Sequence, residues 1–143
     1  MKKTYAIRYF TREGSTKKLA DAIGEEIDVP AYDVSEPIID PVDVLFLGGA
    51  VYKNDIDLEL RSFINSLDSE LIGEVVIFSI SSGSRMPYDV MKQIFSDMNI
   101  KVCEKTYFCK CKKLLMNAGH PDLDDLKAVR IFARSIVLER EES

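Results

Sequence analysis

The chain has 143 residues, is 46% hydrophobic and 30% charged, and carries a formal net charge of −5 with three cysteines and one histidine. Such a composition excludes intrinsic disorder and suits one folded domain whose core needs neither disulfide nor metal staples. The acidic balance argues against non-specific binding to nucleic acid or to an anionic membrane.

The N-terminus, MKKTYAIRYF, reads as a strand rather than a signal peptide, and no apolar run approaches the roughly 20 residues of a membrane helix. A cytoplasmic protein with reduced thiols is therefore expected. Tyr5 to Phe10 is short, apolar and aromatic, which predicts a buried strand. From Ser15 the residues Leu19, Ala20, Ile23 and Ile27 recur at helical spacing, and Pro30 is the expected stop. AYDV, Ala31 to Val34, predicts a short second strand before the loop SEPIIDP.

VDVLFLGG, Val42 to Gly49, is apolar on both faces, as a central parallel strand covered by helices should be. The loop AVYKND follows, then LELRSFINSL with the apolar stripe Leu58, Phe63, Ile64 and Leu67. EVVIFSI, Glu74 to Ile80, is the next buried strand, ending at SSGS. Tyr88 to Met98 has Val90, Met91, Ile94, Phe95 and Met98 three or four apart. Lys101 to Phe108 is the expected last strand. Leu123 to Leu138 is the closing helix, with Leu126, Val129, Ile131, Phe132 and Ile136 inward, Asp122 at its N-cap and Asp125 complementing its positive end.

Strands alternating with helices, with no repeat or linker, call for one α/β domain spanning residues 1–143. The expected architecture is a doubly wound sheet of five parallel strands in three α/β/α layers. Such sheets bind ligands outside the carboxyl ends of the strands, where strand order reverses. Three loops fall there: Thr11–Thr16, Ala50–Asp55 and Ser81–Tyr88.

TREGST joins the first strand to the first helix, where free backbone N–H groups and the helix dipole favour an anion. Thr11, Ser15 and Thr16 bring hydroxyls, and Gly14 lets backbone approach a phosphate closely. Neither GxxxxGK[ST] nor GxGxxG is present, so a monophosphate fits best. The alternative use of Ser15 is simply to cap the helix.

The hydroxyl-rich loop after the first strand, GGAVY after the third and SSGS after the fourth together resemble the flavodoxin-like family of FMN-binding proteins. FCKCKKLLMNAGHPDLDDLKAVRIFARSI is similar to the last strand, glycine turn, GHPD step and final helix of its short members. The resemblance implies the strand order 2-1-3-4-5 and non-covalent FMN. It further implies that Thr11, Arg12, Gly14, Ser15 and Thr16 hold the phosphate. Ala50, Val51, Tyr52 and Lys53 would then lie on one side of the flavin, and Ser81, Ser82, Gly83 and Ser84 on the other.

Glu13 departs from the family pattern, which has threonine or serine there. A carboxylate aimed at the phosphate from ~7 Å would cost roughly 2 kcal/mol per phosphate charge, and one in water about a quarter of that. Tyr52 is the stacking candidate, with an edge-exposed loop aromatic as its other reading. Tyr88 either flanks the ring or packs against its own helix.

Cys109-Lys110-Cys111 lacks the spacing of a redox or zinc motif, and Cys103 reads as core. His120 precedes the Pro121-Asp122 step that launches the last helix, and Lys110, Lys112 and Lys113 read as a solvated turn. No residue demands the role of acid, base, nucleophile or metal ligand. The implied function is redox chemistry through FMN, as electron carrier or small oxidoreductase, with a redox protein or a small-molecule electron acceptor as partner. The second reading, which Glu13 supports, is a flavodoxin-fold binding or regulatory module without FMN.

Overall fold

The structure is a computed structural model and describes residues 2–52, 55–81, 86–110 and 121–142. Its elements in chain order are β1 (Tyr5–Tyr9), α1 (Ser15–Ile27), β2 (Ala31–Asp33), β3 (Val42–Tyr52), β4 (Asp55–Ile56), α2 (Leu58–Ser66), β5 (Ile72–Ser81), α3 (Met86–Asp97), β6 (Tyr107–Lys110) and α4 (Leu123–Glu141). The doubly wound α/β class is as expected. Five parallel strands lie in the order β2-β1-β3-β5-β6, and β4 pairs antiparallel with the end of β3. The expected order 2-1-3-4-5 counted only the parallel strands; the short β4 moves the last two numbers to 5 and 6.

Alternation along the strands builds two cores. Ile7, Tyr9, Val44, Phe46, Val76 and Phe78 face α1 and α4, while Leu45, Leu47, Val75 and Ile77 face α2 and α3. β3 lies between β1 and β5 with helices on both sides, so its run of apolar residues is fully buried from Leu45 to Leu47. Gly48 and Gly49 follow. A Cβ at Gly48 would strike the ring of Phe78, and one at Gly49 would strike Leu60, so the sheet's two coverings close onto bare backbone here.

Four expectations change in detail. α1 ends at Ile27, before Pro30: Asp28 adopts a left-handed conformation (φ 59°) and its N–H caps Gly24 O. Leu58, expected in the inward stripe of α2, is 73% exposed, because it is the first residue of the helix and the buried set is Leu60, Phe63, Ile64 and Leu67. Ile131, expected inward on α4, is 56% exposed; the buried face runs through Val129, Ala133 and Ile136, and residue 131 lies about 200° around the helix from 129. The expected last strand divides into a parallel bridge of Val102 with Val75 and the strand Tyr107–Lys110. Between them the chain leaves the ladder at exposed Glu104 and Lys105 and returns at Thr106, whose hydroxyl donates to Ile77 O at 2.5 Å.

α4 is fixed at both ends. Asp122 and Asp125 form a reciprocal capping box with both N–H···O distances 2.9 Å, so the sequence-based N-cap is correct. In its last turn Arg140 pairs with Glu74, whose side chain is only 7% exposed, and Nη2 of Arg140 lies 3.4 Å from Cys103 Sγ. Cys103 and Cys109 are buried. Cys111, Lys112, Lys113 and His120 lie outside the described residues.

Candidate functional site

The chain leaves β1 for β2 on one side and returns to β3 on the other, so strand order reverses between β1 and β3. The carboxyl ends of these two strands deliver residues 11–16 and 50–57 to one place. This is the switch point at which a doubly wound sheet leaves a crevice.

On the first loop, Thr11 Oγ1 accepts the Gly14 N–H at 2.8 Å, folding residues 11–14 into a tight turn. Gly14 is the N-cap of α1 with φ 97°, a conformation that favours glycine, and it supplies no side-chain cap. Its carbonyl accepts Lys18 N–H at 3.1 Å. Among the described residues the amides of Ser15, Thr16 and Lys17 have no acceptor, so α1 begins with three unused N–H groups in sequence. The alternative in which Ser15 caps the helix is therefore excluded: Ser15 is the first helical residue. Thr16, in the same first turn, is 3% exposed. Unused amide donors and a glycine with no side chain in the way make a donor set that fits a phosphate group.

Glu13 is exposed and forms no hydrogen bond or ion pair. That places its carboxylate in the screened, water-facing regime, where repulsion toward an anion is small. Arg12 is engaged elsewhere in the crevice: its Nε is 3.0 Å and its Nη2 2.5 Å from Asp57 Oδ1.

On the second loop, residues expected to be irregular continue β3. Val51 pairs with Ile56 and Tyr52 with Asp55, so Ala50 to Tyr52 are strand residues in a narrow hairpin rather than a free loop. Val51 packs against the α2/α3 core, with Ile56 opposite it 6% exposed. Ala50 is half-buried and paired with Ile80. Asp55 is pushed below the usual carboxylate range by the Ile56 N–H first and by Arg61 second, so it stays ionised at neutral pH. Sequence reading missed the hairpin and Asp57. A two-residue partner strand gives no period to read, and ion-pair partners 45 positions apart leave no local pattern.

The third loop follows β5, whose last residue Ser81 pairs with Lys110. Ser79, two residues earlier, is 1% exposed and its hydroxyl has no hydrogen-bond partner. Of the residues expected around a flavin ring, Lys53, Ser82, Gly83 and Ser84 lie outside the described residues. Tyr88 is 4% exposed, and its hydroxyl donates to Cys103 O at 3.1 Å, so it packs beneath α3. The described residues contain no cluster suited to a metal ion and no helix long and apolar enough to cross a membrane.

The family model for the flavodoxin domain matches residues 6–133 of this chain. The chain belongs to the flavodoxin-domain family. An uncharacterized protein of Methanocaldococcus jannaschii is 27% identical over 142 residues, covering 86% of this chain and 90% of that protein. Among solved structures, a flavodoxin from the domain Archaea superposes with a TM-score of 0.73 at 16% identity, over 97% of this chain and 98% of that one. A flavoprotein from Lactobacillus acidophilus, solved in complex with FMN, superposes with a TM-score of 0.63 at 16% identity, over 74% of this chain and 93% of that one. The family is thus that expected from TREGST, GGAVY and SSGS, and these structural likenesses establish the shared fold.

Proposed function

We propose that this flavodoxin-family domain binds FMN non-covalently at the β1/β3 switch point and acts in electron transfer or as a small flavin-dependent oxidoreductase. One observation carries the reading: the three unused amides at Ser15, Thr16 and Lys17 beside Gly14, at the edge where doubly wound folds bind their ligands. Thr11 holds the loop in shape by accepting the Gly14 N–H, and Ser15 and Thr16 present donors to the phosphate. Tyr52 at the end of β3 and Ser81 at the end of β5 mark the strand ends that would flank the ring.

Bound FMN would supply the electron and hydride chemistry; this chain supplies binding, orientation and local electrostatics. The redox partner is another protein or a small-molecule electron acceptor. The reading places the protein in the cytoplasm, in keeping with an odd number of cysteines.

Protein purified without added cofactor is expected to be yellow, with flavin absorbance, or to become so on titration with FMN. A colourless protein that FMN cannot saturate would sink the proposal. That outcome would favour a flavodoxin-fold module acting without FMN, the reading that the engagement of Arg12 by Asp57 supports.

A further inference from the structure

Arg12 and Asp57 come from the two loops that flank the switch point, and their ion pair is a direct side-chain tie between them. Nε of Arg12 lies 3.0 and 3.3 Å from the two carboxylate oxygens, and Nη2 lies 2.5 Å from Oδ1. The pair is lopsided: the Asp57 side chain is 10% exposed and that of Arg12 51%.

Asp57 also stands at the N-cap of α2 in extended conformation, φ −62° and ψ 150°. An aspartate there ordinarily accepts an N–H of the first turn, as Asp122 does at the start of α4. Asp57 makes no such bond; its carboxylate meets the guanidinium instead. An ion pair exposed on one side adds little to stability. Giving up a helix cap for one is therefore poorly explained by stability, and the location of Arg12 supplies a better account. Arg12 is three residues from Ser15, the first of the unused amides, and a side chain of that length can reach an anion held there.

We propose that Asp57 is a positioning residue for the anion site: it holds Arg12 away from the α1 amides, neutralises its charge, and links occupancy of those amides to the hairpin of residues 50–57. A phosphate arriving at the amides competes with Asp57 for the same guanidinium. Anion affinity is thereby set below the level the loop could reach, and a partner that moves the hairpin changes it. The inference rests on the α1 amides being the phosphate site proposed above, and it does not require that the ligand be a flavin.

The test measures dissociation constants of inorganic phosphate by phosphorus NMR titration for the full chain and for Asp57→Asn, Arg12→Gln and the double variant. Asp57→Asn is expected to tighten phosphate binding by roughly three- to fivefold, the upper range for a partly exposed ion pair. In the Arg12→Gln background, where no guanidinium is left to release, the same change is expected to gain less than half as much. Equal gains in both backgrounds would show a simple field effect of the carboxylate and overturn the proposal, as would no gain, or no phosphate binding by any of the four proteins. Parallel titrations with FMN and riboflavin separate this from the cofactor reading. Wild-type protein that binds phosphate but neither flavin overturns FMN as the ligand, and the Asp57 proposal is then judged on phosphate alone. Protein on which Asp57→Asn shifts riboflavin as much as FMN keeps the flavin and overturns the control of the phosphate site.

Discussion

α1 and α4 both begin at the carboxyl edge of the sheet, yet their first turns are finished in opposite ways. α4 opens with a complete capping box, Asp122 and Asp125 exchanging 2.9 Å hydrogen bonds with each other's backbone. α1 opens on Gly14 at φ 97°, with no side-chain cap and three amides unused. The same chain therefore supplies a side-chain cap at one helix start and none at the other. A missing cap costs on the order of 1 kcal/mol, so the bare start of α1 is not explained by stability.

The comparison can be broken most severely at the far end of α4. Arg140→Met leaves the Glu74 side chain, 7% exposed, without its guanidinium partner and is expected to cost about 3 kcal/mol in urea unfolding. Adding Glu74→Leu should recover most of that loss; a double variant as unstable as the single one would show that the two residues act independently. Next, Gly14→Ala meets no atom within 4 Å, so its cost is that of forcing an L residue into a left-handed conformation, about 1–2 kcal/mol. A shift of less than about 0.5 kcal/mol in the same assay would mean that Gly14 is not needed for its backbone geometry. Asp122→Ala should cost about 1 kcal/mol in stability and leave phosphate affinity unchanged, which a matched phosphate titration checks. The smallest effect is expected at Glu13→Thr: an exposed, unpaired carboxylate should alter phosphate affinity less than about threefold. A tenfold tightening would show instead that Glu13 faces the anion.

The sequence disclosed the elements that depend on local pattern. Leu19, Ala20 and Ile23 marked α1, the two-faced apolar run from Val42 marked the central strand, and Asp122 marked the start of α4. It misplaced Leu58 and Ile131 because a stripe of apolar residues fixes a helix but not the rotation of its ends against the sheet. It read Ala50 to Asp55 as a loop because a two-residue partner strand has too few positions to show a period. The site was legible as a place, through the loops that topology brings together, but not in its pairings. Arg12 looked like a phosphate ligand from its neighbours, and only the fold shows Asp57 waiting for it. The orphan hydroxyl of Ser79 was invisible for the same reason, since satisfaction of a buried polar group depends on residues far away in sequence.

α2 begins in the manner that α4 avoids. Its nine residues start with Leu58, 73% exposed, and exposed Glu59, behind an aspartate that does not cap them. A short helix so weakly held at its start belongs among the segments that open locally at little free-energy cost, well before the domain unfolds. Amide exchange should accordingly be fast in that turn and slow in the buried stretch from Phe63 to Ile64. Each such opening would unseat the residue that grips Arg12, so the rate at which one turn of helix frays would set how often the neighbouring loop is released.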